Sequence, residues 1–260
     1  MKKSFYLVSA LVLLYCASCD KGVTTMKGAF QMLSQTVNDG KKDSVYQSSQ
    51  FKIYTDSHVM YVGIGADSSD YFGIGTYSVE NGKVNETMFF TAGNATSNDK
   101  PTSYVLDIQK TDKGYKQVIR EMQTDDGKFT VTEDYQNAGS ATTSLLDGTW
   151  KETKLIIIAK GDTTVYTTGT QYKMYESGNF IFGSSFADST GTKFTNVGYG
   201  TFEKVSDTQI KETIKVSTYR SIVGRTLNVE IKMIDATHFR QTIANGDGFN
   251  IEEYEKLTNK

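Results

Sequence analysis

The sequence predicts an all-β protein made of two tandem antiparallel β-barrels, and three observations predict it. The first is an internal repeat. Gln50-Phe51-Lys52-Ile53-Tyr54, Ala66-Asp67-Ser68, Gly73-Ile74-Gly75-Thr76-Tyr77 and Glu86-Thr87-Met88 return in order as Gln171-Tyr172-Lys173-Met174-Tyr175, Ala187-Asp188-Ser189, Gly198-Tyr199-Gly200-Thr201-Phe202 and Glu212-Thr213-Ile214. The offset starts at 121 and drifts to 125 and 126 through turn-like stretches, so one structural unit is carried twice. The second observation is period-two alternation of apolar and polar residues between Gly-, Asn- and Asp-rich turns. The third is composition: strand-favouring Thr, Tyr, Val, Ile and Phe abound, proline occurs once, at Pro101, and no long amphipathic helix is found.

Taken in chain order, Met1-Lys2-Lys3 is a basic start and Phe5 to Cys16 an apolar run, shorter than the roughly 20 residues that span a bilayer. Cys16-Ala17-Ser18-Cys19 closes it with small residues before a cysteine. The pattern resembles a bacterial lipoprotein signal, with Cys16 where Leu is usual. The resemblance implies a signal over 1–18, cleavage before Cys19, a diacylglycerol thioether on that cysteine, and attachment to the bacterial cell envelope, most simply the outer membrane. The alternative is an ordinary secretory signal cut nearby, which also exports the chain. Residues 19–25 are polar and serve as a tether.

The first barrel is expected over 26–136. Met26 to Val37 has helical propensity, but the repeat aligns Gly28-Ala29-Phe30 with Gly148-Thr149-Trp150, whose continuation is β-branched, so both are strands. Gln50 to Tyr54 and His58 to Tyr61 form a hairpin about Asp56-Ser57. Asn81-Gly82 closes another between Thr76 and Phe90, because both residues tolerate positive φ. Strands over Ser103 to Lys110, Tyr115 to Gln123 and Lys128 to Tyr135 complete a meander. The stretch 137–144 is small, polar and turn-rich, as a linker is. The second barrel follows over 145–260, with strands at Thr170 to Tyr175, Asn179 to Phe182, Gly200 to Lys204, Gln209 to Val216, Leu227 to Met233, His238 to Ile243 and Asn250 to Glu255. Closure into up-and-down barrels removes the exposed edges of short sheets.

Several function classes are excluded by counting. With the signal removed, Cys19 lipidated and Cys16 lost, no free cysteine remains for disulfides, thiolate zinc sites or nucleophilic catalysis. Loss of Lys2 and Lys3 leaves 26 basic and 30 acidic residues, a net charge of −4 without a basic patch, which speaks against nucleic-acid binding. The two histidines, His58 and His238, fall in different barrels at non-equivalent positions, so neither a two-histidine metal site nor a serine triad is expected; both read as surface or strand-end residues. The repeated acids Glu86 and Glu212 read as strand residues facing solvent or a neighbouring strand. A carboxylate hydrolase would need two acids within roughly 5–10 Å in a cleft. Asp125-Asp126-Gly127 and Asn245-Gly246-Asp247-Gly248 read as turns.

Gly148-Thr149-Trp150, the early hairpin, the Gly-x-Gly-Thr-aromatic strand and the ending Glu253-Tyr254-Glu255-Lys256 resemble the lipocalin-like domains of unknown function in exported lipoproteins of Bacteroidetes-type bacteria. The second half resembles them nearly end to end, the first more loosely, with Phe30 in place of the tryptophan. The resemblance implies that Trp150, behind Gly148, plugs the closed end of its barrel beneath a cation from Lys256 or Arg240.

Alternation places Phe51 with Ile53, Val59 with Tyr61, Tyr172 with Met174 and Phe180 with Phe182 on single faces. If those faces point inward, they line either an apolar pocket or a filled core. Ser44, Thr163 and Ser189 sit in loose Asp-Ser/Thr motifs, in predicted loops or turns, that resemble O-glycan attachment sites of the same bacteria. Together these readings describe a non-enzymatic, lipid-anchored protein without a cofactor that holds a small apolar or amphiphilic molecule. The alternative is a structural or interaction protein with filled barrels whose loops touch a protein or glycan partner.

Overall fold

The computed structural model describes residues 24–258 apart from 47, 66–68, 94–95, 125–126 and 168. Cys19, the signal and Asp67 therefore lie outside the described residues. The first barrel comprises β1 (Gly28–Asn38), β2 (Asp43–Tyr46), β3 (Ser48–Tyr54), β4 (His58–Gly65), β5 (Asp70–Glu80), β6 (Lys83–Gly93), β7 (Thr96–Asn98), β8 (Thr102–Thr111), β9 (Gly114–Thr124) and β10 (Gly127–Asn137). The second comprises β11 (Gly148–Ala159), β12 (Asp162–Tyr166), β13 (Thr170–Glu176), β14 (Asn179–Ala187), β15 (Lys193–Ser206), β16 (Gln209–Ser217), β17 (Thr226–Met233), β18 (His238–Asn245) and β19 (Gly248–Lys256). Among the described residues one 3-10 turn occurs, Arg220–Ile222, after β16.

Both sheets are antiparallel and both close. β10 pairs with β1 from Phe30 opposite Asn137 to Asn38 opposite Thr130. β19 pairs with β11 from Trp150 opposite Lys256 to Ile158 opposite Phe249. The first half of β1 pairs with β3 and its second half with β2, so β2 and β3 act as one interrupted strand. β12 and β13 share β11 in the same way. In the first barrel β7 and β8 likewise share β6, and with these pairs counted as one strand each, both barrels have eight strands.

The repeated glycine motif has a steric cause. The second glycines, Gly75 and Gly200, sit at register shifts between β5 and β6 and between β15 and β16. A Cβ would stand 2.1 Å from the Thr87 carbonyl oxygen at Gly75, and 2.0 Å from that of Thr213 at Gly200. At these bulges only glycine admits the neighbouring backbone. Asn81 and Gly82, with φ of 52° and 76°, form the expected tight hairpin.

The barrels lie side by side across β3, β4 and β5 of one and β13, β14 and β15 of the other. One apolar cluster spans the seam: Phe51, Ile53, Met60, Val62, Phe72 and Ile74 meet Tyr172, Met174, Ile181, Val197 and Tyr199. Phe51 stacks on Tyr199 with ring centres 4.5 Å apart. Near the closed ends Thr55 Oγ1 meets Thr149 Oγ1 at 3.3 Å, and at the opposite ends Lys193 donates to Ser97 at 3.1 Å. Corresponding ends of the two barrels therefore lie on the same side of the molecule.

The connection after β10 is tied to both barrels. Ala138 N–H donates to the Ala29 carbonyl at 2.8 Å, and Asn179 Nδ2 donates to the Ala138 carbonyl at 3.1 Å. Trp150 is fully buried at the closed end of the second barrel; its indole N–H donates to the Leu146 carbonyl at 2.7 Å. Of the two cation candidates, Lys256 lies over the ring, 5.1 Å from its centre, while Arg240 pairs with Glu253 at 2.5 Å.

Candidate functional site: the interior of the first barrel

The apolar pairs read from alternation divide between two faces. Val59 and Tyr61 of β4, and Phe180 and Phe182 of β14, point into their barrels. Phe51, Ile53, Tyr172 and Met174 do not; they fill the seam. The physical reason is that β3, β4, β13 and β14 are covered on both sides, so an apolar face no longer marks the interior. On β3 and β13 the inward face is the polar one: Gln50, Lys52 and Tyr54 in the first barrel, Gln171, Lys173 and Tyr175 in the second.

That inversion also corrects the repeated acids. Glu86 and Glu212 are buried inside the barrels, 4% and 2% exposed, rather than solvent-facing. Each meets the repeated lysine: Lys52 Nζ lies 3.3 Å from Glu86 Oε1, and Lys173 Nζ lies 2.8 Å from Glu212 Oε1. Tyr54 and Tyr175 donate their hydroxyls to the same carboxylates. Lys52 also reaches Gln117 Oε1 at 3.4 Å, as Lys173 reaches Gln241 Oε1 at 3.2 Å.

A second acid lies above this floor. Glu133, 5% exposed, accepts from Gln35 Nε2 at 2.8 Å, Gln117 Nε2 at 2.6 Å and the Tyr135 hydroxyl at 2.8 Å. Gln50 Nε2 in turn donates to Tyr135 Oη. Glu252, at the matching position of the second barrel, accepts from Gln241 Nε2 at 2.6 Å and the Tyr254 hydroxyl at 2.5 Å. Burial, with the nearby carboxylates second, holds Tyr54, Tyr135, Tyr175 and Tyr254 well above the usual phenol range, so they act as neutral donors. The second barrel adds Glu152, which burial first and Glu252 second push up to about 8.

In the first barrel the polar network borders a cavity of about 680 Å³. Lys52, Glu86, Gln117 and Glu133 border it together with Tyr61, Tyr71 and Tyr104 from β4, β5 and β8. Val45 and Tyr46 of β2, with Ile119 and Met122 of β9, line it toward the mouth. Below the network the barrel is filled by Met32, Tyr54, Val59, Val84, Met88, Leu106, Tyr115 and Tyr135. The interior is therefore packed at one end and hollow at the other.

His58 begins β4 and is buried, 4% exposed, with its ring held by Ser57 Oγ at 2.8 Å; burial lowers its pKa. His238 is at the start of β18 against Asp235 at 3.0 Å. Among the described residues no three His, Cys, Asp or Glu side chains converge as metal ligands do. Ser189 lies in an exposed turn, but Ser44 and Thr163 belong to strands β2 and β12 rather than loops, Ser44 half-buried and Thr163 exposed.

No protein-family model and no curated protein matches the chain. Among solved structures it is similar to a protein of unknown function of the DUF3598 family from Nostoc punctiforme, at 9% identity and a TM-score of 0.27, over 89% of this chain and 96% of that one. So loose a superposition carries no functional information.

Proposed function

We propose that this chain is a lipid-anchored protein of a bacterial envelope whose first barrel holds a small amphiphilic molecule without changing it covalently. The observation that carries the reading is the cavity in the first barrel, about 680 Å³ with charged groups at its floor and apolar side chains toward its mouth. Its volume falls within the roughly 300–1,000 Å³ typical of small-molecule sites, and a few convergent polar groups in such a space fix a ligand's orientation. A filled barrel acting as a spacer has no use for that space. The lipid on Cys19 and the envelope location rest on the resemblance of residues 1–19 to a lipoprotein signal. The tandem barrels are in keeping with the lipocalin-like domains named above.

Native mass spectrometry of the protein purified from its own host tests the ligand reading. A reproducible adduct of a few hundred daltons, lost when Gln117 and Tyr104 are replaced by bulkier side chains, is the expected result. Absence of any retained small molecule, with no change in melting temperature on adding amphiphiles, overturns it. The same spectrum of the intact protein reports the mass of a diacylglyceryl group on the N-terminal fragment, which tests the anchor.

A further inference from the structure

We propose that the molecule held in the first barrel carries a cationic head group, a protonated amine or an alkylammonium, that pairs with Glu133. This deepens the ligand reading and rests on it.

The charges bordering the cavity do not balance. Lys52 is neutralised by Glu86 at 3.3 Å and spends a further donor on Gln117 at 3.4 Å. Among the described residues no Lys, Arg or His forms an ion pair with Glu133, and its three donors, Gln35, Gln117 and Tyr135, are neutral. The interior thus holds one lysine against two carboxylates, a formal surplus of one negative charge. Glu133 Oε1 receives a single bond, so it retains accepting capacity.

A buried charge without an opposite partner is unfavourable, and a neutral side chain of similar shape would avoid that penalty. The second barrel nevertheless keeps the arrangement: Glu252 accepts from Gln241 and Tyr254, and among the described residues no Lys, Arg or His forms an ion pair with it. A ligand cation entering the first barrel would remove the imbalance. It would also find Tyr61, Tyr71 and Tyr104 on the cavity wall. Tyrosine rings attract cations through their quadrupole, and Lys52 Nζ already lies 5.9 Å from the centre of the Tyr61 ring. An anionic head group meets a net negative interior whose one ammonium is engaged. A neutral head group leaves the surplus charge unmatched.

The test is calorimetric titration of the full mature chain with three probes of equal tail length: octylammonium, octanoate and octanol. Octylammonium should bind at least about tenfold more tightly than either of the others, a difference of about 1.4 kcal/mol. Glu133→Gln should remove that preference, Glu133→Asp should retain most of it, and Glu252→Gln, in the other barrel, should leave it intact. Equal binding of the three probes to the wild type overturns the head-group assignment while leaving the cavity a ligand site, and this comparison needs no variant to fold. Tighter octanoate binding overturns it as well. Loss of the preference in Glu252→Gln alone would place the site in the second barrel and overturn the proposal. If no probe binds and host-purified protein carries no adduct, the ligand reading falls with it.

Discussion

Removing Lys173 should unfold the second barrel far more readily than removing Lys173 and the charge of Glu212 together. The two groups lie 2.8 Å apart and are almost fully buried, at 5% and 3% side-chain exposure. At that 2.8 Å separation, Coulomb's law with an effective dielectric constant near 20 gives an attraction of about 6 kcal/mol, before the loss of hydration is subtracted. In Lys173→Met the carboxylate stays in place with the Tyr175 hydroxyl at 2.6 Å as its remaining donor. Breaking one side of such a pair typically costs about 3–5 kcal/mol, because an uncompensated charge is left in the interior. In Lys173→Met/Glu212→Gln the charge is gone and the amide oxygen still accepts from Tyr175, so stability should return to within about 2 kcal/mol of wild type. Trp150 is the sole tryptophan and is fully buried in the same barrel, so urea unfolding followed by its fluorescence reads this barrel directly. A single variant within about 1 kcal/mol of wild type, or a double variant less stable than the single, would refute the reasoning.

Two further outcomes follow from the same barrel. Glu152, pushed up to about 8 by burial and by Glu252, binds its proton more tightly folded than unfolded, so its contribution to stability is lost as pH rises from about 4.5 through 8. With allowance for its partial exposure, wild type should lose about 2 kcal/mol more than Glu152→Gln between acid and alkaline ends of that window, in urea titrations at each pH; equal losses would dismiss the effect. Gly200→Ala should destabilise by at least about 2 kcal/mol, since the new methyl would collide with the Thr213 backbone rather than with a movable side chain; a variant as stable as wild type would show that the bulge can relax.

Much of the architecture was legible because local chemistry and repeat spacing agree. Asn81-Gly82 demands a tight hairpin, and the backbone adopts it; the Gly-x-Gly-Thr-aromatic strand repeats in order, and the structure gives the cause, a neighbouring carbonyl against Gly75 and Gly200; of Lys256 and Arg240, both offered by the resemblance, Lys256 is the one over Trp150. The site is less legible than the fold for a physical reason. Alternation reports which residues share a face but not which face is inside, and the seam made the outer face of β3 and β13 as apolar as a core. A sharper signal was present in the repeat itself. Phe51 and Ile53 change to Tyr172 and Met174, as a packed surface tolerates, while Gln50, Lys52 and Tyr54 recur unchanged as Gln171, Lys173 and Tyr175. Polar identity amid apolar variation points to a specified network. Strands β2 and β12 are hard to read because each is short and opens on a turn-favouring residue, Asp43-Ser44 and Asp162; pairing to β1 and β11 decides their conformation instead.

The same comparison separates what both barrels require from what distinguishes them. Glu133 and Gln117 occupy the register positions of Glu252 and Gln241, and Tyr135 that of Tyr254. With the lysine, glutamate and tyrosine below them, they make one constellation built twice. Stability does not demand it, since apolar filling of a barrel interior is as favourable as a buried ion pair or more so. The changes cluster beside the surplus acid. Opposite Glu133 stands Gln35, whereas Leu155 stands opposite Glu252; opposite Tyr135 stands Met32, whereas Glu152 stands opposite Tyr254. Gln35 donates to Glu133, and Leu155 has no such bond to give. Gln171 instead joins Glu152 and Glu252, its Nε2 lying 3.0 Å from one and 3.5 Å from the other. Glu152, at about 8, carries its proton at neutral pH and loses it in mild alkali, where Met32 cannot titrate. The second interior therefore changes its charge across a window in which that position of the first stays neutral.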